Sequence, residues 1–166
     1  MPFHRPRPTP APPPATEVLI TQILGRRHVA HRRLLTQAIR LATTVERTHA
    51  IHPACPHGLA DLLFFIGDDL EDHRQKEEAV LFPLMLSDAP PPLAEPLSRM
   101  RRDHDDLADQ TQDLRALTCG FTPPADADAA WRALYALCAR IDAGLNAHIT
   151  LENEVLFPRF GADQAV

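Results

Sequence analysis

One eleven-residue pattern occurs twice in this chain and constrains every other reading of it. HRQKEEAVLFP (73–83) and HITLENEVLFP (148–158) share six identities, H-x3-E-x2-V-L-F-P, at a separation of 75 residues. On a helix, positions i and i+4 lie one turn apart on a common face. His73 with Glu77, and His148 with Glu152, therefore each offer an imidazole and a carboxylate to one side. The preceding segments match as well. His28 and His104 are 76 residues apart and precede the two pattern histidines by 45 and 44 residues. Two similar helical hairpins packed about a pseudo-two-fold axis are implied.

From Thr16 onward, apolar residues recur at helical spacing, and no segment alternates with the period of a strand. Low aromatic content (5%) and only 6 glycines also favour helix. The first helix is expected from about Thr16, with Glu17 behind it, to His49, ending at HPACPHG (52–58). The second runs from about Gly58 to Leu86, ending at DAPPP (88–92). The third runs from Leu93 to Cys119, closed by Gly120. The fourth opens at Thr122-Pro123-Pro124 and lasts to about Phe157. Short connections imply antiparallel neighbours, so the fold class is all-α, an up-down-up-down four-helix bundle spanning 16–162. Residues 1–15 hold seven of the 17 prolines and read as a Pro-rich disordered tail, with a Pro-rich ligand for a partner as the minority reading.

Each rod carries a core stripe. The four stripes are Thr21, Leu24, His28, His31, Leu35, Ala38, Ala42 and Val45; Leu62, Ile66, Leu70, His73, Glu77, Val80 and Leu84; Leu93, Leu97, Met100, His104, Leu107, Thr111 and Leu114; and Leu134, Cys138, Ile141, Leu145, His148, Glu152 and Val155. Histidine interrupts all four, and glutamate two of them. Counted along antiparallel rods at ~1.5 Å per residue, His28, His73, His104 and His148 fall in one layer. A buried charged glutamate is costly unless it is paired or coordinates a cation. Six such donors suit two metals, each taking two imidazoles and sharing Glu77 and Glu152. That donor set favours iron, then manganese or zinc. No thiolate lies on the layer, which argues against a tetrahedral structural zinc. With an oxo or hydroxo bridge completing the pair, a coordination position stays open for O2 or NO.

Other polar residues carry weaker signals. His31, one turn from His28, reads as a fifth ligand or, with more weight, as an outer or surface residue, since its repeat counterpart is Leu107. Glu78 and Glu154 read as solvated or backing residues. Asp103 and Asp105 flank His104 and either orient an imidazole or face solvent. His49, His52 and His57 read as a polar loop rather than a second metal site; Cys55 among them lacks a fixed basic neighbour. Cys119 and Cys138 read as small core residues. Arg26-Arg27, Arg32-Arg33 and Arg101-Arg102 read as ion-pairing surface residues, with a docking surface as the lesser alternative.

The net charge of −5 argues against nucleic acid as the main partner. No apolar run approaches a membrane span, and the N-terminus shows no apolar leader. Three scattered cysteines form no CxxC, so a reducing, cytoplasmic setting is expected. Nucleotide-binding glycine motifs and a serine-hydrolase elbow are lacking, and no credible Ser–His or Cys–His pair is seen. Monomer and dimer both remain open.

The sequence resembles the hemerythrin-like proteins, and within them the di-iron iron–sulfur cluster repair family. The resembling residues are His28-x2-His31-Arg32, Val45-Glu46-x2-His49, Cys55-Pro56-His57-Gly58, His73-x3-Glu77-Glu78-x2-Leu81-Phe82-Pro83, Met100-x3-His104-Asp105, Thr122-Pro123-Pro124, the WRALY run from Trp131, and His148-x3-Glu152-Asn153 through Phe160. The resemblance implies a hemerythrin-like bundle with a non-haem di-iron centre. The family's ligands fall on His28, His73, His104 and His148, with bridging carboxylates at Glu77 and Glu152. It also implies a role in nitrosative and oxidative stress: binding or reducing NO and helping to restore damaged iron–sulfur proteins. An O2-binding storage or sensor protein is the alternative. Two departures stand out. The family's N-terminal domain with adjacent cysteines is replaced by the Pro-rich segment, and Thr150 stands where a further histidine is common.

Overall fold

The computed structural model describes residues 14–161, of which the side chain of Arg26 is left aside. Of the expected Pro-rich tail, residues 1–13 lie outside the described part, as does residue 162. Four rods succeed one another along the chain. The first is α1 (Thr16–Gln22), a π-helical turn (Ile23–His28) and α2 (Val29–Thr48). The second is α3 (Leu59–Lys76), a π-turn (Glu77–Leu81) and α4 (Phe82–Met85). The third is α5 (Ala94–Leu117). The fourth is α6 (Ala129–Leu151), a π-turn (Glu152–Leu156) and a 3-10 turn (Phe157–Phe160). Contacts join α2 to α3, α3 to α5, α5 to α6 and α6 back to α2, which closes a four-helix bundle. No strand occurs among the described residues, and no helix is long and apolar enough to cross a membrane.

Helix ends depart from the sequence reading in three places. Thr16 is the first helical residue, but its hydroxyl caps nothing; Oγ1 accepts from Arg159 at 3.1 Å instead. The fourth helix begins not at Thr122-Pro123-Pro124 but at Ala129, where Asp128 Oδ1 accepts from the Trp131 N–H at 2.8 Å. An aspartate before a helical run satisfies one of the first turn's orphan donors, which the prolines upstream cannot do. The third helix ends at Leu117, and Cys119, Gly120 and Phe121 turn away in the left-handed region. Cys119 is consequently exposed rather than a core residue, whereas Cys138 is buried.

The core is divided in two. One apolar cluster gathers Leu35, Leu70, Leu107 and Leu145 with their neighbours toward one end; the other gathers Ile23, Leu81, Met100 and Leu156 toward the opposite end. On every rod the histidines lie between a member of one cluster and a member of the other. A polar layer thus crosses the bundle with apolar packing above and below it.

The π-turns shift the stripes. On the third rod, which has none, all seven expected core positions are buried. On the other three, the stripe is one residue out on the far side of the turn. Ile20 and Ile23 are buried where Thr21 and Leu24 were expected; Leu81 and Met85 replace Val80 and Leu84; Leu156 replaces Val155. In the second and fourth rods the N–H of Phe82 donates to the Glu77 carbonyl, and that of Phe157 to the Glu152 carbonyl, five residues back. A proline comes one residue after each of these. Proline brings no N–H to the ladder, and its ring crowds the carbonyl four residues earlier, here Ala79 and Glu154 inside the turns. A widened turn relieves that crowding and advances the face by one position. Leu62 is also one residue out, with Leu63 buried in its place, and no π-turn accounts for it.

The shifted register has a direct check. Leu81→Ala is expected to destabilise the protein by about 2–5 kcal/mol through loss of a buried side chain. Val80→Ala, at an exposed position, is expected to stay within about 0.5 kcal/mol. Paired denaturant-unfolding curves decide the point; equal effects would refute the shift.

Candidate metal centre

The polar layer is built from the last residue of the first π-turn and the first residues of the other two. His28 closes the first; Glu77 and Glu152 open the second and third. His73 and His148 stand one turn before the glutamates, and His104 enters from the uninterrupted third rod. All six side chains are buried, with Glu77, Glu152 and His148 at 0% exposure.

Their inward atoms converge. Glu77 spreads its two oxygens, Oε2 lying 3.3 Å from His28 Nε2 and Oε1 3.4 Å from His73 Nε2. Glu152 Oε2 lies 3.0 Å from His104 Nε2, 3.3 Å from His148 Nε2 and 3.8 Å from His73 Nε2. The Nε2 atoms of His73 and His104 are 3.3 Å apart. Two overlapping groups of potential ligands result: His73, His104, His148 and Glu152, and His28, Glu77 and His148. Glu77 reaches from the His28 side of the layer to the His73 side.

The outward ring nitrogens explain how the imidazoles are aimed. His28 Nδ1 donates to Glu78 Oε1 at 2.9 Å, and His104 Nδ1 donates to Asn153 Oδ1 at 3.0 Å. His73 Nδ1 faces Asp103 Oδ2 at 3.6 Å, and Asp103 is itself held by Lys76 at 2.8 Å. A proton on Nδ1 leaves the Nε2 lone pair facing the layer, the tautomer a metal requires. His104 also stacks flat on Phe157 at 5.6 Å, with the Arg101 guanidinium 5.6 Å from that ring.

Several sequence readings are thereby sharpened. Glu78 is a backing residue, through His28. Asp103 aims His73 on the neighbouring rod, not His104 beside it. Asn153 was missed as a backing residue; its only signal was its place one after Glu152, matching Glu78 after Glu77. His31 is buried with its ring edge-on to His148 at 5.6 Å, but it belongs to neither ligand group. Burial, aided by His148 beside it, holds its pKa down at about 4. His49 and His52 reach Asp128 and Asp126, each at 3.1 Å, and pack against Trp131, so they staple loops together. Cys55 lies 3.8 Å from His57 Nδ1, and burial and the Glu46 charge raise its thiol, which disfavours the reactive thiolate. Arg32 pairs with Glu71 at 2.8 Å, and Arg74 bridges Glu71 and Glu78.

The fit to a cation rests on atoms left without partners. Both oxygens of Glu77, both of Glu152, and Nε2 of His28 and His148 are buried with no hydrogen bond. Buried polar atoms are nearly always satisfied, and unpaired buried charges are costly. Six such atoms in one layer are accounted for by cations that accept their lone pairs. Without a cation, protons take that place. Burial alone would lower the His73 pKa, but the Glu152 and Glu77 carboxylates outweigh it and raise it to about 10. His28 is raised in the same way, burial being outweighed by Glu77 and Glu78. Glu152 is held well below its ordinary value: burial opposes this, and His148 and His104 overcome it.

The profile of the hemerythrin HHE cation binding domain matches residues 19–160. The chain belongs to this family. It is 45% identical over 141 residues to the iron-sulfur cluster repair protein YtfE of Musicola paradisiaca. The corresponding identities are 43% for YtfE of Dickeya chrysanthemi and 40% for that of Pectobacterium carotovorum. Each match covers 85% of this chain and 64% of the relative, so the hemerythrin-like chain spans about two thirds of the length of these proteins at most. The matched region contains all six layer residues, so the cation-binding fold and the layer coincide.

Because a metal must displace the His73 proton, affinity depends on pH. Binding is expected to release protons at pH 7 and to tighten as pH rises from about 6.5 toward 10, the raised value of His73. Conversely, the proton-linked stability of the metal-free protein is full below the unfolded value of about 6.5 and is lost as pH rises through about 10. Calorimetric metal titration in buffers of different ionisation enthalpy measures the proton count. Binding without proton release, at constant affinity from pH 6.5 to 9, would contradict this picture.

Proposed function

We propose that this chain is a cytoplasmic non-haem di-iron protein of the nitrosative and oxidative stress response. In this reading it binds or reduces NO and supports the repair of damaged iron–sulfur proteins. His28 and His148 hold one iron, His73 and His104 the other, and Glu77 and Glu152 serve both. The observation that carries the reading is the pair of fully buried glutamates whose four oxygens lack hydrogen-bond partners among four imidazoles. The spread of Glu77 between His28 and His73 supports two ions rather than one. Imidazole and carboxylate donors without thiolate favour iron over a structural zinc. The names of the relatives supply the repair role.

When bound, the irons supply a redox-active Lewis-acid pair at which a diatomic molecule is held. The chain's own residues do the rest. Glu78 and Asn153 fix protons on the outer nitrogens of His28 and His104, and the Asp103 carboxylate facing His73 favours the same orientation there. Apolar clusters on both sides of the layer exclude bulk water. A cleft of about 510 Å³, walled by Leu35, Phe64, Leu70, Arg32 and Arg74, reaches His28 and offers a small ligand its approach. His31 lies outside both ligand groups, which leaves four imidazoles for two irons and speaks against an oxygen-carrying site with a fifth.

Anaerobic purification is expected to yield about two irons per chain. NO is expected to give a nitrosyl signal with the reduced protein, and O2 to oxidise it irreversibly. Stable, reversible oxygenation would favour oxygen storage or sensing and overturn the repair reading. Glu77→Leu combined with Glu152→Leu is expected to abolish binding of the pair. The metal-free double variant should melt no lower than metal-free wild type, because apolar side chains replace both partners' buried charge, the imidazoles returning to neutral once the carboxylates are gone. Retention of one iron with an intact bridged-pair absorption would refute the shared role of the glutamates.

A further inference from the structure

Three of the four layer imidazoles have an oxygen facing their outer nitrogen; the fourth, His148, has none. Its Nδ1 is buried without a hydrogen bond. The repeat shows why. Glu78 behind His28 and Asn153 behind His104 are equivalent positions, one after each glutamate. Asp103, which faces His73, is equivalent to Arg27, offset by the same 76 residues as His28 and His104. An arginine has no lone pair to offer an imidazole N–H. The first half of the repeat therefore lacks, at Arg27, the acceptor that the second half supplies at Asp103.

At that place the chain departs from its own symmetry a second time. His31 stands where the other half has Leu107, and Gly144 stands where it has Asp69. The two departures fit each other. A β-carbon on Gly144 would come within 3.0 Å of His31 Nε2, so glycine makes room for the ring. Glycine weakens a helix interior relative to alanine, and this glycine sits in the middle of α6. Nε2 is the ring atom of His31 turned toward the Gly144 backbone. A proton on that Nε2 leaves the lone pair on Nδ1. That Nδ1 is buried without a hydrogen bond, like those of His148 and His73, and of the three only His73 has a carboxylate facing it, Asp103 at 3.6 Å. The rings of His31 and His148 meet edge to face at 5.6 Å and 80°. One atom is a donor without an acceptor and the other an acceptor without a donor.

We propose that His31 is the positioning residue for His148: its Nδ1 accepts the His148 Nδ1–H, through a small ring rotation or one bridging water. It fills the role that Glu78, Asn153 and Asp103 fill for the other imidazoles. Each iron would then have one imidazole backed by an anion (Glu78 or Asp103) and one backed by a neutral group (His31 or Asn153). This rests on the di-iron reading above and adds the residue that completes its support.

The test is anaerobic titration of the full metal-free chain with iron(II) against a competing chelator. Wild type is expected to take two irons; failure there would strike the di-iron reading itself and is distinguishable from failure of the His31 assignment, which the variants and the wild-type ring protonation report. In His31→Leu, one of the two sites is expected to weaken roughly 10–100-fold, the range seen when such backing bonds are lost. The other site should be unchanged, and so should the helical signal of the metal-free protein. Gly144→Ala, which displaces the ring but keeps it, should weaken the same site. His31→Gln, which restores an acceptor, should recover most of the loss. Unchanged affinity at both sites, equal loss at both, or no rescue by glutamine would overturn the proposal. Nitrogen-15 NMR of the zinc-loaded wild type gives a check independent of how the variants fold. It should show His31 protonated on Nε2 and His148 on Nδ1; His31 protonated on Nδ1 would overturn the assignment.

Discussion

Two carboxylates at the centre of an apolar bundle, with no hydrogen bond to any of their four oxygens, set the terms for the rest of this structure. Such groups are tolerated only with positive charge beside them, whether protons on the imidazoles or cations between them. Everything around the layer serves that condition. Two apolar clusters seal it from above and below. Oxygens hold the outer nitrogens of His28 and His104, and a carboxylate faces that of His73, which keeps these imidazoles turned inward. The fold thus stabilises a site that is unfavourable until it is filled, and binding energy becomes folding energy.

The same condition explains why three of the four rods break helical register where they cross the layer. A straight helix presents one face in steps of three and four. A single π-turn rotates that face by one residue, so that each rod offers donors in the layer and apolar side chains beyond it. Pro83 and Pro158 mark two of these turns in the sequence. The first, Ile23–His28, has no such proline, and Gly25 is its nearest local irregularity.

This accounts for the parts of the fold that were legible in the sequence. The four rods and their order are set by apolar periodicity and proline-rich breaks. The third rod, with no π-turn, has every stripe position correct. The convergence of six donors was readable because the repeat ties His73 and Glu77 to His148 and Glu152 at fixed spacing. The one-residue errors at Val80, Leu84, Val155, Thr21 and Leu24 arise because periodicity was carried through turns of a different pitch. The backing residues were less legible for another reason. Glu78 and Asp103 sit on partly exposed faces among other charges, and each acts across to a histidine on a different rod. Asp128 was passed over for the prolines, although only a side-chain acceptor could cap the fourth helix.

The central claim is that two metal ions lie in this layer and share its glutamates. Anomalous X-ray diffraction from crystals of anaerobically purified protein, collected at the iron edge, tests it most directly. The account predicts two peaks, one between His28 and His148 and one between His73 and His104, with Glu77 and Glu152 reaching both. A single peak, or peaks away from the layer with the glutamates unligated, would contradict it.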